Sequence, residues 1–215
     1  MTTTASIDAS PHHPAVSSWT TLLLATACGL IAANIYYAQP LAGPISTALG
    51  LPPGATGLIV TLTQIGYGAG LLLIVPLGDL IENRRLILTM ISIAVLGLLG
   101  AALASQALPF LGSALLIGLG TVAVQVIVPY AAHMAPDATR GRAVGNVMSG
   151  LMLGIMLARP VSSSISEMSS WHVVFFLSAG VMILLGLVLR LALPARVPVA
   201  KVRYGTLLAS MVVWR

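Results

Sequence analysis

The sequence contains very little charge. Only 7% of its 215 residues are Asp, Glu, Lys or Arg, against roughly a quarter in an ordinary globular domain. Meanwhile 58% are hydrophobic, and these residues form long uninterrupted runs. A run of about 20 such residues crosses a hydrocarbon core as a helix, because lipid leaves every backbone donor and acceptor to be satisfied within the segment. The scarcity of charge therefore excludes a soluble domain and predicts an all-α integral membrane protein.

Cysteine is almost absent as well. Cys28 is the single cysteine, so an internal disulfide is excluded, and its place in the first apolar run predicts a packed neutral thiol. His12 and His13 are too few for a metal site, and we expect neither a metal nor another cofactor. Residues 1–18 hold no Lys or Arg, which argues against a secretory signal. The net charge of +5 forms no basic patch with interleaved aromatics, so a nucleic-acid partner is not expected.

Carboxylates are missing from the apolar runs. All five acidic residues stand in tails, in loops or at the ends of runs: Asp8, Asp79, Glu82, Asp137 and Glu167. A proton-coupled carrier usually needs a titratable group within the membrane. The predicted spans offer no such carboxylate of their own.

Six apolar runs are long enough to span a membrane. We expect spans over about 19–38, 55–77, 86–104, a fourth from the turn at 105–109 to 130, 143–163 and 171–193. Gln39-Pro40 is expected to end the first span, and 164–170 to form a turn before the sixth. The domains are then a disordered cytoplasmic tail (1–18), a six-helix transmembrane domain (19–193) and the start of a cytoplasmic linker (194–215).

The basic residues predict the orientation of these spans. The loops after spans two, four and six hold Arg84, Arg85, Arg140, Arg142 and the C-terminal cluster that Arg190 opens, whereas the other loops hold none. Loops rich in Lys and Arg face the cytoplasm. We therefore expect both termini inside, in a multi-pass protein of the inner membrane whose surroundings are the lipid bilayer.

Three sites carry a resemblance to a known family. They are residues 78–85 (Gly-Asp-Leu-Ile-Glu-Asn-Arg-Arg), residues 140–143 (Arg-Gly-Arg-Ala) and the glycine series Gly141, Gly150 and Gly154 in span five. Together they resemble the major facilitator superfamily, closest to its drug:proton antiporter and sugar-efflux type. The resemblance covers Trp19 to the end of the chain. It implies one half of a major-facilitator fold, an inverted three-plus-three repeat, in a secondary transporter that exports small molecules by alternating access.

The motifs also indicate roles for individual residues. We predict gating by the charged motifs, at Gly78, Asp79, Arg84, Arg85, Arg140 and Arg142. Asp79 can accept hydrogen bonds from a helix N-terminus or pair with an arginine, forming a lock that alternating access must break. The alternative is that Arg84 and Arg85 only set the topology. Helix packing is predicted for Gly150, Gly154 and Ala158, which recur every four residues and let a neighbouring helix approach closely.

Polar side chains inside the spans mark a candidate substrate path, because each costs free energy unless it faces protein or water. The substrate-cavity candidates are Asn34, Gln64, Tyr67, Gln125 and Arg159. We expect the three amides and Arg159 to line a central cavity between spans one, two, four and five, with Tyr67 one turn from Gln64. The alternative for the amides is interhelical hydrogen bonding. Arg159 would bind an anionic group or modulate a proton site, or else reach the outer headgroups or Glu167.

Other functions fit the sequence less well. Ser149 and His172 could suggest an intramembrane hydrolase, but their depths differ by roughly 15–20 Å at 1.5 Å per residue. No catalytic residue is therefore assigned, and we do not expect an enzyme. The serious alternative is a truncated or subunit-like six-helix membrane protein with no transport activity alone. Such a chain would need a second six-helix half or an oligomer, and its substrate and coupling ion stay open.

Overall fold

A computed structural model of the chain describes residues 18–194, apart from the side chain of Asp79. The predicted tail up to residue 17 and the predicted linker from residue 195 lie outside the described residues. Within the described part, the α-helices are α1 (Ser18–Ala33), α2 (Ala38–Ala48), α3 (Leu58–Leu73), α4 (Asn83–Leu103), α5 (Ala107–Thr121), α6 (Ala123–Met134), α7 (Arg140–Met168) and α8 (Trp171–Ala192). Short 3-10 turns cover Pro53–Ala55 and Val75–Asp79.

Six segments of the described chain are long and apolar enough to cross a membrane, which confirms the predicted six-span, all-α fold. In chain order, the spans are Ser18–Ala48, Pro53–Leu73, Asn83–Leu103, Ala107–Met134, Arg140–Met168 and Trp171–Ala192. Spans two and five are the least buried, with 22% and 11% of their apolar windows buried against 39–61% in the other four. These two helices therefore present the broadest uncovered faces of the bundle.

Span one is longer than the sequence suggests and is divided. The prediction that Gln39-Pro40 ends it is wrong, because α2 continues from Ala38 through both prolines to Ala48. A tight turn over 34–37 separates α1 from α2, held by i to i−3 bonds such as Tyr36 N–H to the carbonyl of Ala33 at 2.9 Å. Pro40 supplies the reason, since it has no N–H to donate and its ring would crowd the carbonyl of Tyr36 in a regular helix.

Two further boundaries differ from the prediction. Span four continues past the predicted end at 130 to Met134, and it is interrupted at Val122 between α5 and α6. Span five is one helix to Met168, so the predicted turn over 164–170 is wrong except at its last two residues. Serines near this end do not stop the helix, since their hydroxyls can bond to carbonyls of their own helix, as Ser162 bonds to Arg159 at 3.0 Å and Ser169 to Ile165 at 2.9 Å.

Glycines bring several spans into backbone contact, and two of these pairs bear on the internal repeat. A Cβ added at Gly154 would overlap the carbonyl of Gly29, which joins span five to span one. A Cβ added at Gly118 would overlap the carbonyl of Thr63, which joins span four to span two. If span one is exchanged with span four and span two with span five, each of these two pairs becomes the other. Spans one and four are also both divided into two helices. That correspondence is the one an inverted three-plus-three repeat requires.

Candidate functional site

A groove of about 930 Å³ runs along the seam between α1 and α7. Its floor contains Gly29 from α1 and Gly150 and Gly154 from α7, where the two helices touch through backbone atoms. Since these residues have no side chains, the floor stays open along its length. We call this site the seam groove, and its volume falls within the range of roughly 300–1,000 Å³ that small-molecule pockets occupy.

The seam groove changes character along its length. At the end that the basic residues predict to be cytoplasmic, polar side chains line it: Ser18, Thr21, Thr26, Thr139, Arg142, Asn146 and Ser149. Towards the other end the lining is apolar, with Leu30, Ala33, Leu153, Leu157, Ala158 and Val161, and Tyr37 closes that side. Arg142 and Val161 stand about 28 Å apart along the helix at 1.5 Å per residue. The groove therefore extends over most of a hydrocarbon core about 30 Å thick.

Helical periodicity places the polar side chains of α7 on one face. Arg142, Asn146, Ser149 and Leu153 follow each other at intervals of three or four residues, so they lie in one row along the helix. Arg142 was predicted from the sequence to act in gating, whereas Asn146 was not among the predicted site residues. The same interval of three and four residues could have identified Asn146, but the α1 threonines opposite could not be assigned without the pairing of the two helices.

Arg142 carries the charge of the seam groove. The neighbouring arginine, Arg140, is engaged: it pairs with Asp137 at 2.5 Å and donates to the carbonyl of Ala132 at 3.1 Å. Arg142 has no ion pair or hydrogen-bond partner among the side chains described between 18 and 194. It also stands in the first turn of α7, where the helix dipole is positive. This end of the groove is thus electropositive.

The predicted cavity residue Asn34 lies between spans one and six. It is only 2% exposed, and its Oδ1 accepts a hydrogen bond from the Ser178 hydroxyl at 2.5 Å. Its Nδ2 donates to the carbonyls of Leu30 and Ile31, both at 3.0 Å. This arrangement is the interhelical hydrogen bond that the sequence offers as the amides' alternative role.

The other neutral candidates belong to spans two and four. The Gln125 side chain donates to the Tyr67 hydroxyl at 2.7 Å, and both residues are half-buried. Gln64 is exposed on the uncovered face of span two. The structure therefore brings Tyr67 and Gln125 together and leaves Gln64 facing outward, and none of the three lines the seam groove.

Arg159 lies at the turn between α1 and α2. Its Nε donates to Oε1 of Gln39 at 2.9 Å, and its guanidinium lies 5.8 Å from the centre of the Tyr36 ring. Those contacts use only part of its fork of five N–H donors. No ion pair joins it to Glu167 within the described residues.

The charged motif after span two contains an ion pair between an exposed arginine and a largely buried carboxylate. Arg85 Nε contacts Glu82 at 2.9 Å, three residues earlier, and the arginine side chain is 81% exposed. Asp79 is the last residue of the 3-10 turn, and Gly78 is the residue before it. A Cβ added at Gly78 would lie 3.9 Å from side-chain atoms of Leu86 and of Val126. Arg84 is half-buried in the first turn of α4. The gating role of this motif stays a prediction.

Comparison with known proteins identifies the family. A family model described as Major Facilitator Superfamily matches residues 22–211. The chain belongs to the Major Facilitator Superfamily. The match covers most of the sequence, which confirms the superfamily resemblance drawn from the three motif sites and agrees with the six-span fold of the described residues.

Superfamily relatives are similar to this chain over about half of their own length. Uncharacterized transporter YgaY of Escherichia coli O157:H7 is 42% identical over 202 residues, which cover 94% of this chain and 51% of the relative. Probable transporter SCO4007 of Streptomyces coelicolor is 35% identical over 190 residues, covering 88% of this chain and 44% of the relative. The chain thus spans about half the length of the curated relatives that it matches.

A solved superfamily structure shares the fold. The crystal structure of a mutant of the peptide transporter POT in complex with alafosfalin covers 90% of this chain with 42% of its own, at a TM-score of 0.64 and 21% identity. This likeness shows the fold alone. Six spans of the present chain therefore correspond in architecture to a part of that longer transporter.

Proposed function

We propose that the chain is the N-terminal half of a secondary transporter that exports small molecules by alternating access. The observation that carries the proposal is the seam groove, a polar-to-apolar path over most of the thickness of a hydrocarbon core, on a chain related to transporters. A substrate between two six-helix halves would contact this groove on one side. The second half would supply the other wall and, if protons are coupled, a carboxylate deep in the membrane, because the one acidic residue of the described spans is Glu167 in the last turn of span five.

The uncovered faces of spans two and five support a second half as the partner. Exposed residues on α7 include Met148, Met152 and Met156, at 38%, 57% and 65% exposure. On α3, Ile65 and Leu72 are 52% and 64% exposed. Lipid can cover such surfaces, but these two helices also carry the exposed Arg159 and Gln64, which a partner would cover at lower cost than hydrocarbon.

The proposed orientation places both termini in the cytoplasm of a cell with an inner membrane. Arg84, Arg85, Arg140 and Arg142 support it, since all four stand at one end of the bundle. The polar end of the seam groove then opens to the cytoplasm, from which an exported substrate enters. Residues 1–18 are proposed as a cytoplasmic tail and 194–215 as the start of a cytoplasmic linker between the halves.

Gating is proposed at the two ends of the bundle. At the cytoplasmic end, Asp79 and the arginines of the two charged motifs would pair and separate as the transporter changes state. At the outer end, the contact of Arg159 with Gln39 and Tyr36 fastens span five to the turn in span one. Rocking of one half against the other must change the surroundings of both places.

The test is efflux from bacterial cells that lack their own major efflux pumps. The chain is expressed alone, and in parallel together with the part of its relative YgaY that this chain does not match, and the loss of preloaded fluorescent dyes is followed. We expect efflux from cells that make both halves and none above vector from cells that make the chain alone. The matched control replaces Gly145, an exposed α7 glycine with open space around it, by alanine and should leave efflux unchanged.

Cross-linking separates the possible failures. In a Cys28→Ala background, cysteine at Met152 should cross-link to the second half if the two assemble. Assembly without dye efflux from either culture would contradict the transporter proposal and favour a six-helix protein without transport activity. Efflux by the chain alone would contradict the half-transporter assignment and point to an oligomer.

A further inference from the structure

We propose that the seam groove binds a single-chain anionic amphiphile, a small molecule with one carboxylate or sulfonate head and one apolar tail. The head contacts Arg142, and the tail lies along Leu153, Leu157 and Val161. This inference rests on the proposed function, because it names the substrate class of the same path. Its test reads binding to the chain alone, so it can fail or succeed independently of transport.

The charge of Arg142 is not neutralised by the acidic side chains that the structure describes. Glu82 contacts Arg85 and Asp137 contacts Arg140. Glu167 stands at the far end of α7, about 38 Å from Arg142 at 1.5 Å per residue. Arg142 thus stands at the mouth of the groove with no ion-pair partner among the described side chains, and an unpaired cation attracts an anionic ligand and repels a cationic one.

Hydrogen-bonding groups surround the position of the head. A guanidinium can donate two parallel N–H bonds to a carboxylate or sulfonate, which fixes the orientation of the head as well as its position. Asn146 stands one turn further along the same face, with an amide that can donate a third bond. The Ser149 hydroxyl donates to the carbonyl of Gly145 at 2.9 Å, so this proton is not available to a ligand. The part of the groove that can donate hydrogen bonds to the head therefore ends before this serine.

The remaining length of the groove suits an apolar tail. Leu153 to Val161 covers about 12 Å of helix at 1.5 Å per residue, and the opposite wall carries Leu30 and Ala33. A highly polar molecule such as a sugar would leave its hydroxyls unpaired against this wall, which costs free energy. The combination of one cationic end and one apolar channel therefore selects an amphiphile whose charge is negative.

The volume favours a small molecule as the occupant. At about 930 Å³, the groove is at the upper end of pockets that hold drug-sized ligands, roughly 300–1,000 Å³. Its single channel, floored by glycines, accommodates one chain. A membrane phospholipid with an anionic head shares part of this chemistry, and the experiment has an arm that distinguishes it.

The experiment measures binding of 11-(dansylamino)undecanoic acid to the purified full chain in phosphatidylcholine nanodiscs, after subtraction of empty nanodiscs. The methyl ester of the same probe is the uncharged comparison. We expect Arg142→Gln to weaken binding of the acid roughly tenfold, the loss of about one charge-assisted hydrogen bond, and to leave the ester unchanged. Arg142→Lys keeps the charge and should weaken binding of the acid roughly threefold, because a lysine ammonium binds as a point charge and cannot donate two parallel N–H bonds.

Arg85→Gln is the matched control, since it removes an exposed arginine at the same end of the bundle but outside the groove. It should bind the acid as the native chain does, and equal thermal melting of all variants shows that each is folded. The proposal is overturned if acid and ester bind equally to the native chain, if Arg142→Gln binds the acid undiminished, or if Arg85→Gln weakens it as much. A small-molecule site is also overturned if phosphatidylglycerol nanodiscs abolish binding of the acid to the native chain but not to Arg142→Gln. The lipid headgroup then occupies Arg142.

Discussion

The Ser178 hydroxyl and Oδ1 of Asn34 are joined by a hydrogen bond of 2.5 Å between spans six and one. Asn34 is the first residue after α1, and its Nδ2 also contacts the sulfur of Met182 at 3.4 Å. The pair therefore attaches span six at the point where span one is interrupted. Since both side chains are buried, no lipid or water competes for the bond.

Breaking this pair should destabilise the bundle. Asn34→Ala leaves the Ser178 hydroxyl without its partner, and we expect a loss of about 1 kcal/mol, in the range of interhelical hydrogen bonds in membranes. Unfolding in mixed lipid–detergent micelles measures it, and a double-mutant cycle with Ser178→Ala gives the coupling. Ser92→Ala is the control, because that exposed hydroxyl bonds only to its own helix at Leu88. Coupling within error of zero would show that the bond contributes nothing to stability.

The glycine contact between α1 and α7 gives a second prediction. A methyl group at Gly154 overlaps the carbonyl of Gly29, so Gly154→Ala should destabilise the protein by about 1–3 kcal/mol, as overpacking does. Gly145→Ala, on the same helix with open space around it, should be neutral or stabilise by up to about 1 kcal/mol through helix propensity. Thermal melting of the two variants checks this contrast. If both melt like the native chain, the helices do not touch at this glycine.

Arg159 should matter for transport through its contacts with span one. Arg159→Ala removes the hydrogen bond to Gln39 and the contact with Tyr36, and we expect efflux by the paired halves to fall roughly tenfold, the equivalent of one charge-assisted hydrogen bond. Dye efflux at matched expression is the measurement, with Gln39→Leu as a variant that removes the same bond from the other side. Unchanged efflux in Arg159→Ala at unchanged expression would remove its functional assignment.

The ion pair of Arg85 and Glu82 should contribute little to stability. The arginine side chain is 81% exposed, although that of Glu82 is only 15% exposed, so water and salt reach the pair from the side of the arginine and screen the attraction between the two charges. We expect Arg85→Ala to change the free energy of unfolding by less than about 0.5 kcal/mol, and the same small change in high salt. A loss several times larger would assign this motif a structural role beyond an exposed pair.

Much of the fold was predictable because its causes are local. The length of each apolar run depends on the thickness of the bilayer, and charge placement depends on the membrane face, so the number of spans follows from the residues alone. Boundaries were less predictable where proline occurs. Pro40 and Pro44 look like stops, yet both are accommodated, Pro40 in the first turn of α2 and Pro44 inside it. A proline in a membrane helix is tolerated where neighbouring helices satisfy or shield the freed backbone groups.

The candidate site was less predictable than the fold. Asn34 was assigned to a cavity because it is polar and within the membrane, but polarity does not reveal the direction in which a side chain points. In a membrane bundle the lipid-facing and protein-facing sides of a helix are both apolar, so hydrophobic periodicity does not fix helix rotation. For that reason, Thr21 and Thr26 on α1 could not be matched with Asn146 on α7 until the helices were paired.

By itself, the sequence determined that this chain crosses a membrane six times as helices and that its basic loops lie at one end. Scarce charge, long apolar runs and the arginines between them indicate this, because an apolar run of about 20 residues satisfies its backbone in lipid as a helix. The tertiary structure alone decided that Gly29, Gly150 and Gly154 form the floor of a groove and that Arg142 stands at its mouth. Those positions depend on how closely two helices approach, and only backbone contact across the seam sets that distance.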